Sequence, residues 1–455
     1  MGVELLMLLA HSIRLDPTKA QCAYFARAAG TARRVWNWAL AQCLQLSARG
    51  LPVRIFDLKK HFNSIKYVDP AWLNEDGQPW LRGIHRDAHA QPFANLNKAF
   101  ARYFEQRRAG IRAFPPHFKK KGRCRDAFYV ANDKFHLEGR TAVLPKIGRV
   151  AMCEQLRFAG KIMGASVSRE ANAWYLAIQV DVPDQQAKRS RQSDDVVGLD
   201  VGITTAATLS TGEKIPGPNP LRSALRRLRI RSRRHSRKKV KGRENMPSAL
   251  AVDDQPPRRK SSNTIKAANV LARLHARITH IRKDWSHKLT TRLCRENQAI
   301  AIEDLNVQGM LGNRKLARAI SDVGWYRIRS QIAYKARRYD TLVVVADRWY
   351  PSSKLCSACG AKHDGLTLAV RHWTCSHCGM HHDRDVNAAL NLKRLATGAH
   401  AARTALPVAS PTATSGTAAG ILLAGGGKVT PVRHEHGQQD GSGQEENAEH
   451  ICSRF

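Results

Sequence analysis

Four cysteines fall as "CSACG" at 356–360 and "CSHCG" at 375–379, a C-x2-C-x15-C-x2-C pattern. Two knuckles of this kind supply four thiolates to one tetrahedral Zn2+, and each closing glycine lets the chain turn back around the ion. Four buried or redox thiols do not account for two paired knuckles. Because Cys356, Cys359, Cys375 and Cys378 fill the coordination shell, the zinc is expected to be structural. His377, His381 and His382 lie nearby and read as surface residues or partners of the ligands. The other six of the ten cysteines are scattered, which favours a reducing compartment.

A second constraint is an acid inside an apolar run. "VVGLDVG" at 196–202 has the β-formers of a strand, yet Asp200 stands between Leu199 and Val201. An unpaired buried charge is too costly, so this carboxylate must face solvent or be balanced by a cation. Gly202 would let substrate or the next strand approach. Two more acids stand at element ends: Glu303 in "AIAIEDL" and the pair Asp383/Asp385 in "HDRDVNAALNLKRL". The last stretch reads as an amphipathic helix with Ala388, Ala389, Leu392 and Leu395 on one face. Carboxylates from two strands and a helix can converge on two Mg2+ ions for phosphodiester cleavage. Edge-strand or helix-capping acids give the same pattern, so residue spacing alone leaves both readings open.

The 455-residue chain carries 75 Lys/Arg against 37 Asp/Glu, a net charge of +38. Residues 397–455 hold four Lys/Arg and five Asp/Glu, so residues 1–396 carry +39. Such an excess calls for an anionic polymer or surface. No apolar run approaches the roughly 20 residues of a membrane span. The start, "MGVELLMLLA", is apolar but short and lacks the basic segment of a leader. Nucleic acid is therefore the expected partner, with no membrane and no small-molecule substrate.

Asp16-Pro17 reads as a helix start, a capping acid followed by proline at the first helical position. Helical spacing continues through "GTARRVWNWALAQCLQL", and residues 85–108 look helical again. Alternating runs within 127–182, such as "WYLAIQVDV", predict an antiparallel sheet. Residues 264–297 predict a long helix, and 299–305 and 341–349 buried strands. Residues 244–263 read as a loop. The stretch after Gly398 is rich in Ala, Thr, Gly and Ser and reads as disordered and dispensable.

The order of "GLDVGITTAATLSTG", a basic helical stretch, "AIEDLNVQGM", "RWYPSSKLCSACG", "CSHCG" and "DRDVNAALNL" resembles the TnpB family. These are transposon-encoded, RNA-guided DNA nucleases, also called OrfB-type transposases and similar to type V CRISPR effectors. The resemblance spans roughly residues 11–395 and includes the "LDPTKAQ" start and "FPPHFKKKGR". It implies an α+β, multidomain chain whose RNase H-like (RuvC) α/β nuclease domain carries an inserted four-Cys zinc finger. An N-terminal β unit with a helical insertion completes it. The implied boundaries are 1–15 and 110–190 for a β-rich, wedge-type nucleic-acid-binding domain and 16–109 for its helical recognition insertion. The nuclease domain takes 191–350 and 380–396, the zinc finger 351–379 and the disordered tail 397–455. The family's acids fall on Asp200, Glu303 and Asp385, with Asp383 as the neighbour that could replace Asp385. Catalytic Mg2+, structural Zn2+, guide RNA and double-stranded target DNA are implied. The compartment implied is a prokaryotic cytoplasm, on the nucleoid when DNA is bound. The segment "NMPSALAVDDQPPRRKSSN" is long for its place and departs from the pattern.

Basic segments fit such partners. Residues 222–243 hold twelve Lys/Arg, among them Arg226, Arg227, Arg233 and Arg234. Phe118 with Lys119, Lys120 and Lys121 offers base stacking beside phosphate contact. Arg33 and Arg34 share a helix with Trp36 and Trp38, which read as core. The competing class is a nucleic-acid-binding protein without cleavage, such as an accessory or repressor of transposition, and the acid triad argues against it. A strand-joining transposase is weaker still, since no nucleophilic tyrosine with paired histidines is evident.

Overall fold

The computed structural model describes residues 6–183, 195–244, 261–367, 369–405 and 421–424. The chain forms two compact units that divide after Asp184.

The first unit is built on a seven-stranded antiparallel sheet. Its strands are β1 (Leu6–Asp16), β2 (Ala127–Ala131), β3 (His136–Glu138), β4 (Thr141–Leu144), β5 (Gly148–Met152), β6 (Lys161–Glu170) and β7 (Ala173–Pro183). They lie in the order β2-β6-β7-β1-β5-β4-β3. Between β1 and β2 the chain leaves the sheet for α1 (Lys19–Ala48), α2 (Ile55–Ile65) and α3 (Arg86–Arg108). These helices enclose a core of their own around Trp36, Phe62, Trp72 and Phe93, with Trp38 packed against it. The cap of α1 differs from the sequence expectation. Asp16 ends β1, and Thr18 is the N-cap. Its hydroxyl accepts from the Gln21 N–H while the Gln21 side chain takes the Thr18 N–H, a reciprocal pair that leaves Asp16 no donor to cap.

The second unit is a mixed sheet of β8 (Asp195–Asp200), β9 (Ala207–Leu209), β10 (Lys214–Ile215), β11 (Asn297–Glu303), β12 (Leu342–Ala346) and β15 (Ile421–Ala424). Its order is β10-β9-β8-β11-β12-β15. The first three strands are antiparallel; β8, β11, β12 and β15 run parallel. This is the RNase H-type arrangement, three antiparallel strands and then parallel ones, with β15 added at the edge. Between β10 and β11 stand α4 (Pro220–Glu244) and α5 (Ser262–Glu296); α6 (Val307–Leu311), α7 (Ala317–Val323) and α8 (Trp325–Tyr339) lead to β12. The hairpin β13 (His372–Thr374) and β14 (His381–Asp383) then feeds α9 (Arg384–Ala405). Both faces of the sheet are covered, as parallel strands require. On one face Val197, Leu199, Ile300 and Ile302 meet Leu289 and Leu293 of α5 and Ile328 and Ile332 of α8. On the other, Ala299, Ala301 and Val344 meet Leu392 and Ala396 of α9.

Two features of the tail differ from expectation. Helix α9 runs on to Ala405, into the stretch expected to be disordered: the Thr397 hydroxyl donates to the Lys393 carbonyl inside the helix and Gly398 takes no left-handed turn. Residues 421–424 pair with the open edge of β12, whose unpaired backbone groups accept a parallel strand. Residues 406–420 and 425–455 of the expected tail lie outside the described residues, as do 245–260 of the expected loop.

Candidate active site and metal centre

Strands β8 and β11 are parallel neighbours, with Leu199 in register with Ile302. The next residues, Asp200 and Glu303, therefore stand side by side where the two strands end. Asp385 stands in the first turn of α9, and its charge acts on Asp200. That helix lies directly on β8 at Gly198, where the space of a side chain is filled by the backbone of Ala389 and Lys393. Asp385 is one turn before Ala389, and Asp200 is two residues after Gly198 on the same strand face. The helix and strand thus carry their acids to one place. Burial, then the charges of Glu303 and Asp385, hold the Asp200 carboxyl well above the usual carboxylate range; Arg384 and the Val201 N–H act in the opposite sense. Burial also raises Glu303, against a hydrogen bond from the Ser352 hydroxyl at 2.7 Å. The Ser352 carbonyl in turn accepts from Asn391 of α9 at 2.8 Å.

Asp383 and Asp385 take different surroundings. One Asp383 oxygen caps α9, accepting the Asp385 and Val386 N–H groups at 3.1 Å each. The other meets the Lys214 ammonium at 2.6 Å. Burial opposes ionisation of Asp383, but Lys214 and these N–H groups outweigh it and hold its carboxyl below the usual range. Among the described residues, Asp385 has only a 3.3 Å contact with the exposed Arg371, and its charge acts on Asp200. Gly202 is required by its own turn. A β-carbon there would stand 2.7 Å from the Thr205 carbonyl oxygen.

The four cysteines form a closed cluster, their sulfurs all within 4.8 Å of one another. The Cys356–Cys378 and Cys359–Cys375 sulfurs are 3.6 and 3.7 Å apart. A tetrahedral zinc with sulfurs at about 2.3 Å needs them about 3.8 Å apart, so the set fits this ion. Gly360 and Gly379, at φ of 80° and 71°, return their N–H groups to the Cys356 and Cys375 carbonyls at 2.9 Å and close the two knuckles. His382 lies 3.0 Å from the Cys356 sulfur and His363 lies 3.2 Å from that of Cys375, as hydrogen-bond partners of the thiolates. His363 carries no signal in the sequence. The module ends at Asp383, so it also sets the start of α9. Among the described residues, the three carboxylates are not as close together as these sulfurs.

The basic residues divide into free and committed groups. Arg226, Arg227, Arg233 and Arg234 are exposed on α4. That helix is seamed to α5 by Leu221, Ala224 and Leu228 against Leu271, Leu274 and Ile278. Its first turn is pinned by the buried Asp322, which accepts the Leu221 and Arg222 N–H groups at 3.0 Å and the Arg282 guanidinium at 2.8 Å. In the first unit, Phe118, Lys120 and Lys121 are exposed. Lys119 instead folds over the Trp36 ring at 3.7 Å, and its backbone is clamped on both sides by Asn37. Arg33 is ion-paired with Asp126 at 2.7 Å and is mostly buried. Arg34 is exposed and stacked over Trp72 and Trp80. Arg33 and Lys119 are therefore structural cations in this conformation.

Comparisons with known proteins agree in order along the chain. Residues 177–314 match the family described as "Probable transposase", 325–392 the "Cas12f1-like, TNB domain" and 7–50 a "Helix-turn-helix domain". In this structure residues 7–50 hold a strand and one helix, β1 and α1, rather than two helices. A Streptomyces pristinaespiralis protein named "Putative RNA-guided DNA endonuclease" is 35% identical over 392 residues, covering 84% of this chain and 88% of the relative. The Escherichia coli K12 protein of the same description, InsQ, is 29% identical, covering 85% and 91%. The cryo-EM structure of a Cas12f1-sgRNA-target DNA complex aligns over 83% of each chain at 13% identity with a TM-score of 0.45.

Proposed function

Because this chain belongs to the family of RNA-guided DNA endonucleases described above, we propose that it cleaves DNA at Asp200, Glu303 and Asp385 under the direction of a bound guide RNA. The observation that carries this reading is the meeting of these three acids, with the Asp200 carboxyl held well above the usual range by burial and then by the charges of its two neighbours. Such a cluster is poorly stable without cations. Carboxylate oxygens suit Mg2+, and a pair of ions at such a site activates water and stabilises the leaving oxygen of a phosphodiester. Ser352 orients Glu303, and the N-cap role of Asp383 leaves Asp385 as the third ligand. Zinc at the four cysteines is structural, since four thiolates leave no open position. The exposed arginines of α4, with Arg34, Lys120 and Lys121, suit the backbones of guide RNA and target DNA, which are held by charge rather than sequence, and Phe118 suits the face of a base. The compartment this implies is the prokaryotic cytoplasm. A protein that binds without cutting has no use for three converging carboxylates.

The test is guide reprogramming. The purified ribonucleoprotein is supplied with Mg2+ and two DNA targets, and the guide segment of its RNA is exchanged. The cut is expected to follow the new guide and to stop when the metal is chelated. Cutting that ignores the guide, or persists in chelator, would overturn the reading.

A further inference from the structure

A cavity of about 360 Å3 opens beside Glu303, between the ends of β8 and β11 and helix α8. That volume lies at the small end of the roughly 300–1,000 Å3 range of ligand sites. Its floor is apolar, formed by Leu199, Ile302, Ile328 and Val343. Two aromatic residues line it: Trp325, which is buried, and Tyr326, which is 52% exposed. The Trp325 indole N–H has no hydrogen-bond partner among the described residues, although buried donors are nearly always paired. At the rim stand Arg329 and Arg348, both ion-paired with Asp304. Two guanidiniums share the one Asp304 carboxylate there, which leaves one positive charge in surplus among these three groups.

We propose that this cavity is a nucleotide subsite that takes one unstacked base of the DNA strand being cut, while Arg329 and Arg348 hold the adjoining phosphate. The inference rests on the nuclease reading, because that reading places a DNA strand at Glu303. The chemistry of the lining selects the occupant. A base offers a flat apolar face to Trp325 and Tyr326 and acceptor atoms at its edge for an indole N–H. The phosphodiester attached to it is the anion that a surplus guanidinium binds in a two-point contact. Enzymes that work on nucleic acid commonly draw a base out of its stack into such a pocket, which fixes the backbone beside the reacting groups. The subsite would thus set which phosphate meets the acids.

Two measurements test this on the intact ribonucleoprotein. In the first, single abasic residues are walked across the cut strand around the scission point. One position is expected to slow wild-type cleavage about tenfold, the scale of one lost base-stacking contact. Ala333, which also lines the cavity, is replaced to fill it. Ala333→Leu is expected to cut intact DNA at the slowed rate and to show no further loss on the abasic strand. Uniform tolerance of abasic residues by the wild type overturns the subsite, as does additivity of the two changes in a folded A333L protein. In the second, 2-aminopurine is walked along a single-stranded DNA bound to the complex. One position is expected to change fluorescence, and the change is expected to vanish in A333L. Equal fluorescence at every DNA position, or a response only from 2-aminopurine placed in the guide RNA, overturns the proposal whether or not the DNA is cut. Failure of intact DNA to be cut counts instead against the nuclease reading.

Discussion

Gly198 and Ala389 meet backbone to backbone: a β-carbon on Gly198 would stand 1.9 Å from the Ala389 carbonyl oxygen and 2.5 Å from the Lys393 nitrogen. This contact lets α9 lie on β8 closely enough for Asp385 to reach Asp200. A single methyl at 198 must push the helix away. Gly198→Ala is therefore expected to destabilise the protein at or above the top of the roughly 1–3 kcal/mol range for overpacking. Cleavage should fall more steeply than guide RNA binding. Thermal melting and a cleavage assay on the same preparation check this; wild-type melting and cutting would remove Gly198 from the account.

The acids of the "DRD" sequence separate by role. Asp385→Asn should abolish cutting with little change in melting temperature. Asp383→Ala should cost about 1 kcal/mol of stability, the usual value of an N-cap, and leave measurable cutting. Paired unfolding and cleavage measurements decide between them. If D383A lost all activity while D385N retained it, the assignment of the two residues would be reversed.

Much of this site is written in short stretches of sequence, and the rest depends on distant partners. The knuckles Cys356–Gly360 and Cys375–Gly379 are each five residues long and declare themselves. Asp200 and Glu303 are legible because each interrupts an apolar run at the end of a buried strand. Gly198 could have been found the same way, as a glycine inside a strand that marks close backbone approach. Arg33 could not, because its partner Asp126 is 93 residues away and the pair forms only in the fold. Asp322 is equally silent, since its donors come from α4 and α5. The cap at Thr18 was obscured by the acid and proline before it. Edge pairing by residues 421–424 is long-range and leaves no local signature.

In the absence of divalent metal, the contribution of Asp200 and Glu303 to stability should fall as pH rises. Asp200 and Glu303 have carboxyls raised above their unfolded values, so the folded state binds more protons than the unfolded state between those values. Their unfavourable contribution is absent below the unfolded carboxylate range, near pH 4, and is complete above the raised folded values. Mg2+ competes with those protons, so its stabilising effect should grow with pH. Melting curves at pH 5 and pH 8, with and without Mg2+, check this, with Asp200→Asn expected to shrink the difference. A larger Mg2+ effect at pH 5 would contradict the argument.

Removing zinc ligands should act on stability before chemistry. The pair of substitutions Cys356→Ser and Cys375→Ser is expected to release the metal and lower the melting temperature, because metal binding is part of the folding free energy of such a module. Metal analysis of the purified protein should give one zinc per chain for the wild type. Stoichiometric zinc in the double variant would reject the four-cysteine site.

The most direct test of the whole account is the cleavage rate of Asp200→Asn, measured on guide-matched DNA with the variant loaded with the same RNA as the wild type. Asparagine keeps the size of the side chain but cannot supply the charge that the cluster of Glu303 and Asp385 needs to hold cations. The account predicts that cutting disappears while guide RNA and target DNA remain bound. Cutting at the wild-type rate by D200N would contradict it.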